Sequence, residues 1–82
     1  MRLPRDLSGH ELIRLLKRYG YEPTRQVGSH IRLATSIRGH PHYITVPDHP
    51  DLRVGTLKAI LSVVADYLDV DRSKLEEELF QK

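Results

Sequence analysis

Apolar positions change their spacing along the chain, and the change marks out its elements. Leu12, Leu15, Leu16 and Tyr19 stand at i, i+3, i+4 and i+7, one stripe of an α-helix. Ser8-Gly9-His10-Glu11, just before the stripe, has the form of a capping box. In that motif the Ser8 hydroxyl accepts from a backbone N–H of the first turn, and Glu11 reaches back to the Ser8 amide. Lys17 and Arg18 suit the negative end of the helix dipole, Gly20 suits the residue after the last turn, and Pro23 prevents continuation. The spacing predicts a first helix over about residues 8 to 19.

The period then shortens to two. Pro23 to Val27 reads as a first strand with little apolar content, and Gly28-Ser29 as a tight turn. In "HIRLAT" Ile31 and Leu33 point one way, and His30, Arg32 and Ala34 the other. Ser36 to Pro41, with Gly39 and Pro41, reads as a hairpin loop. "HYITVP" follows, with Ile44 and Val46 facing a core and Tyr43 and Thr45 opposite. Pro47-Asp48-His49-Pro50-Asp51 ends the meander, because two prolines cannot continue a ladder.

A helical period returns with Leu57, Ile60, Leu61, Val64 and Leu68. This second helix is expected to start near Gly55-Thr56, with Thr56 as its cap. Asp69 to Asp71 breaks it, and Arg72 to Phe80 reads as a third, acidic helix with Leu75, Leu79 and Phe80 free to dock. The order is α-β-β-β-α-α, an α+β arrangement with one three-stranded antiparallel sheet. Helices on one face leave the other partly open. Residues 1 to 82 are expected to form one domain, with its core over about 7 to 68 and a helical tail over about 70 to 82.

Composition alters this picture little and narrows the chemistry. The chain has no cysteine, so disulfides and thiolate metal sites are excluded. Met1-Arg2-Leu3-Pro4 opens no apolar run of signal-peptide length, and no stretch is long enough to span a membrane. A cytoplasmic location is the expectation. Charge is uneven: residues 1 to 58 hold ten Lys and Arg against five Asp and Glu, and residues 59 to 82 hold three against six. A basic body favours a polyanion such as RNA or DNA, although imbalances of this size also occur on ordinary solvated surfaces.

Four of the five histidines, His30, His40, His42 and His49, fall between residues 27 and 49. His40, His42 and His49 with Asp48 supply imidazole and carboxylate, but their spacing matches no recognised metal pattern, so they read as exposed loop histidines. His30 differs. Its parity opposes Ile31 and Leu33, which places it on the open face beside Arg32 and near Arg25, Tyr43 and Thr45. Imidazole can take and give a proton near neutral pH, and the arginines favour an anionic phosphate. A solvent-facing histidine is more often inert, so the spacing alone leaves catalysis open.

"LSGHELIRLLKRYGYEPTRQVGSHIRL" and "ITVPDHPDLRVGTLKAIL", with the spacing between them, resemble the HicA toxin family, also called YcfA-like mRNA interferases. The resemblance covers about residues 7 to 65, and "RQVGSH", "VPDH" and "GTLKAIL" are its most specific pieces. It implies a double-stranded-RNA-binding-domain-like α-β-β-β-α fold. It also implies a toxin that cleaves mRNA without a metal or other cofactor and is neutralised by a HicB antitoxin. The family's catalytic histidine falls on His30. Gly28 would permit the turn, Ser29 would orient the phosphate or the imidazole, and Arg25, Arg32 and Lys58 are candidate phosphate contacts. Two features depart from the family. Val54 stands where a basic residue commonly precedes the glycine of "GTL", and the tail after the second helix is longer. That tail is expected to cap the core, with dimerisation or antitoxin docking as alternatives. The rival to a nuclease is a non-catalytic RNA-binding or protein-interaction module of the same fold.

Overall fold

A computed structural model describes residues 3 to 80. The elements are α1 (Gly9–Leu16) with a closing 3-10 turn (Lys17–Tyr19), β1 (Glu22–Val27), β2 (His30–Thr35), β3 (His42–Pro47), α2 (Val54–Leu68) and α3 (Arg72–Phe80). The strands form one antiparallel sheet in the order β1-β2-β3.

The capping box opens α1 as the sequence predicts. The Glu11 N–H donates to Ser8 Oγ at 3.0 Å, and the Ser8 N–H donates to Glu11 Oε1 at 2.9 Å. The α-helix is shorter than expected. It gives way at Lys17 to a 3-10 turn that ends on Gly20 at φ 82°. The tighter turn carries Tyr21 straight into the core, where it is wholly buried. The start of α1 is pressed onto the end of β3. The Gly9 N–H donates to the His49 carbonyl at 2.9 Å, and a Cβ at Gly9 would collide with the Pro47 carbonyl oxygen.

Alternation in the sheet works as a sorting device. Ile31, Leu33, Ile44 and Val46 turn inward and join Leu12, Leu16, Leu57, Leu61 and Val64 in one buried cluster. Full burial of each such side chain contributes about 1.5–3 kcal/mol. Leu3, Leu7 and Leu52, isolated apolar residues with no period to announce them, complete the cluster. Both helices pack over β3. As a result β1 hangs beyond the helical layer with all six residues exposed. An edge strand tolerates Pro23, and the register shifts between Pro23 and Arg25, which leaves Thr24 as the bulged residue.

The second helix begins earlier than expected and is capped elsewhere. Its first bond runs from the Leu57 N–H to the Arg53 carbonyl at 2.9 Å, which makes Arg53 the N-cap and leaves Thr56 inside the helix. No side chain caps it. Ala65 is buried in the stripe, and Leu68 only partly so. Asp69 ends the helix in the left-handed region at φ 61°.

The tail covers the core. Leu75 and Leu79 of α3 are buried. Arg18 Nη1 donates to the Glu78 carbonyl at 2.6 Å, and the Tyr19 hydroxyl donates to Glu78 Oε1 at 2.8 Å, which ties α3 to the end of α1. Glu76 is also buried. Arg72 Nε lies 3.0 Å from its Oε2 but off the hydrogen-bond line, so the pair is mainly ionic.

Candidate functional site

The hairpin from β1 to β2 builds the site. Val27 pairs with His30, so Gly28-Ser29 is a two-residue connection. Gly28 has φ 59° and is the only turn residue with a positive φ, the pattern of a type II′ turn with glycine first. A Cβ on Gly28 would meet open space, so the requirement is conformational and not steric. The Ser29 carbonyl accepts the Asp48 N–H at 2.6 Å, which staples the turn to the segment after β3.

Cross-strand register then arranges the open face in three rows. Val27, His30 and Pro47 form the first row. Arg25, Arg32 and Thr45 form the second, and Glu22, Ala34 and Tyr43 the third. A shallow cleft of about 220 Å³ is lined by Arg25, Val27, His30, Arg32 and Thr45. Arg25 and Arg32 are direct cross-strand neighbours. Like charges placed so are mutually destabilising by about 0.2–1 kcal/mol in water. Among the described residues neither arginine has an ion-pair partner. The arrangement therefore favours an anion next to His30. Arg32 also lies 5.9 Å from the centroid of the Tyr43 ring.

The structure brings together His30, Arg25 and Arg32, with Gly28 and Ser29 at the adjoining turn. Lys58 does not line the cleft: it is exposed on the second turn of α2, in the helical layer. Val27 was legible and overlooked, because a two-residue turn necessarily sets it opposite His30. The cleft holds no carboxylate. Asp48, the nearest acid in sequence to β3, directs its oxygens to His10 at 2.9 Å and to Gln26 at 3.4 Å.

The other histidines do different work. His42 begins β3, its Nδ1 lies 2.7 Å from the Tyr21 hydroxyl, and its ring stacks on Tyr67. His40 meets the same tyrosine edge-on, with ring centroids 5.0 Å apart. Among the described residues no three His, Asp or Glu side chains converge as metal ligands. None of the described helices is long and apolar enough to cross a membrane.

The chain thus sets a basic cleft beside one open-face histidine on a helix-sheet-helix frame. The family model described as HicA toxin of bacterial toxin-antitoxin matches residues 9–64. The chain belongs to the HicA toxin family, and membership makes it the toxin of a toxin–antitoxin pair, with an antitoxin as partner. No curated protein and no solved structure matched the chain.

Proposed function

We propose that the chain is an endoribonuclease that cuts mRNA in the cytoplasm, with His30 as its proton-transfer residue. The observation that carries this reading is the position of His30 one row from the cross-strand pair Arg25 and Arg32. Two cations with no acidic partner beside them hold a phosphodiester, and His30 then stands at its ribose. RNA brings its own nucleophile. His30 takes the proton of the 2′-OH, the 2′-oxygen attacks phosphorus, and the P–O5′ bond breaks. The leaving 5′-oxygen takes a proton from water or from the imidazolium. The products are a 2′,3′-cyclic phosphate and a 5′-hydroxyl. A positioned acid or base contributes about 10²- to 10⁴-fold to such a step. No metal is needed for it.

Gly28 shapes the turn that presents His30, and Ser29 orients phosphate or imidazole. Lys58 extends the phosphate path onto the helical layer. A HicB-type antitoxin inhibits by covering this face, so that RNA and antitoxin compete.

The test is RNA incubated with the protein in EDTA, with product ends analysed. Wild type should cut and leave the cyclic phosphate or its opened 3′-phosphate. A substrate with 2′-deoxyribose at the cut site should resist. His30→Ala should fold, bind RNA and fail to cut, because an exposed residue leaves no cavity behind. Cleavage by His30→Ala at the wild-type rate would overturn the mechanism, and RNA bound but uncut by the wild type would leave a binding module.

A further inference from the structure

We propose that Tyr43 is a stacking platform for an unpaired RNA base beside the phosphate held at Arg25 and Arg32, so that this face selects single strands over duplex. The proposal rests on the reading of the open face as an RNA surface, and it adds the substrate's conformation.

Tyr43 stands on the open face and is 57% exposed. Its cross-strand neighbour is Ala34, too small to cover the ring. Arg32 bridges two features. It lines the cleft with His30, and its guanidinium lies 5.9 Å from the Tyr43 centroid. A cation at that distance is attracted to the ring and helps set its orientation. One side chain thus connects a phosphate site to an aromatic surface. Rows on one face of a strand are two residues apart, about 7 Å. Tyr43 therefore serves a nucleotide next to the one at Arg32, and not the ribose at His30.

The chemistry of the ring selects the strand. In a duplex each base is covered by its neighbours, whereas unpaired bases splay out and stack on aromatic side chains. Such stacking tolerates any base, because every base has a π-face. The arrangement also argues against a protein as the first occupant. A protein-docking centre is apolar and desolvated with a polar rim. Here the order is reversed. The exposed apolar residues Val27 and Tyr43 occupy the outer rows, and Arg25, Arg32 and Thr45 lie between them.

The chain has no tryptophan, so Tyr43→Trp introduces a single indole. Three 2′-O-methyl probes, which cannot be cut through the 2′-oxygen, are titrated: a single strand; a hairpin duplex of the same composition; and a single strand with abasic residues. Indole emission should be quenched by the first and not by the other two. Tyr43→Ala should lower affinity for the base-bearing single strand by about 5- to 100-fold. It should leave the hairpin and the abasic strand unchanged, and Tyr43→Phe should bind like wild type. Equal losses on all three probes, or no loss on any, overturn the proposal; the latter leaves Tyr43 to the antitoxin. Since no probe can be cut, a chain that stacks the base and yet never cleaves RNA would sink only the nuclease reading.

Discussion

The Tyr21 hydroxyl and Nδ1 of His42 share a hydrogen bond of 2.7 Å, joining two residues 21 positions apart. Tyr21 is wholly buried, and burial pushes its ionisation well above the ordinary phenol range, so the hydroxyl keeps its proton. Burial of His42 favours its neutral imidazole over the charged form. Its ring stacks on Tyr67 with centroids 4.6 Å apart. The Tyr67 hydroxyl accepts the Arg38 N–H at 2.9 Å and donates to the His40 carbonyl at 2.6 Å. This cluster pins the β2–β3 loop to α2 at the end of the sheet away from His30.

A pH dependence of stability follows. Burial, then the neighbouring His40, lowers the pKa of His42 from its ordinary 6.5. The unfolded chain therefore takes up this proton at a higher pH than the folded one. The contribution of neutral His42 is complete above about pH 6.5 and is lost as pH falls through 6.5 toward the lowered folded value. Urea midpoints should drop between pH 7.5 and 5.5 in wild type, and by less in His42→Gln. Identical slopes in the two proteins would show that His42 does not titrate with folding.

Removing only the Tyr21 oxygen isolates the bond. Tyr21→Phe keeps the ring and strands half-buried Nδ1 of His42, at a cost of about 1–3 kcal/mol. Tyr21→Ala adds a cavity and should cost about 3–5 kcal/mol. Cleavage by Tyr21→Phe should be unchanged under conditions where it is folded, because the cluster is remote from the cleft.

Two helical glycines should respond to alanine with opposite signs. Gly55, in the first turn of α2, has nothing within 4 Å of a built Cβ, so Gly55→Ala should stabilise by about 0.5–1 kcal/mol. Gly9 has the same helical preference working for alanine, but its Cβ would strike the Pro47 backbone. Backbone cannot give way as a flexible side chain can. Overpacking of this kind costs about 1–3 kcal/mol and should win. Thermal midpoints of the two variants check the sign, and a stabilised Gly9→Ala would mean that α1 and β3 separate freely.

What was legible in the chain is what periodicity and parity can carry. Stripes and alternation placed α1, α2, β2 and β3, since a residue's face follows from its spacing. They also placed His30 and Arg32 together on the open side. Long-range contacts left no such mark. Tyr21 follows Gly20 outside any stripe, Gly9 matters only because Pro47 arrives beside it, and Leu52 is a single apolar residue in a loop. Thr56 offered good capping chemistry, yet the first helical bond goes to the Arg53 carbonyl. Lys58 was chosen by charge, and charge carries no direction. The tool that would have found Val27 was already present in the Gly28-Ser29 turn.

Arg25 and Arg32 set stability against binding. Facing each other across β1 and β2, they repel in the free protein, and a phosphate relieves the repulsion. Arg25→Thr removes one charge and puts a good strand former on an exposed edge. It should leave stability unchanged or raise it by up to about 1 kcal/mol, while weakening RNA binding. The slope of log affinity against log salt should flatten by about 0.7 for the lost single-strand phosphate contact. Arg32→Glu should be worse for binding than Arg25→Thr, because it reverses a charge that borders both the cleft and Tyr43. Lys58→Glu should have a smaller effect from its place in the helical layer. Reversal of Arg72 or Lys74 on α3 should leave RNA affinity near wild type. If all these positions respond equally, RNA is held by overall charge and the His30 face has no special part in binding. If Arg25→Thr binds as wild type and loses stability, the pair is held together by something other than an anion.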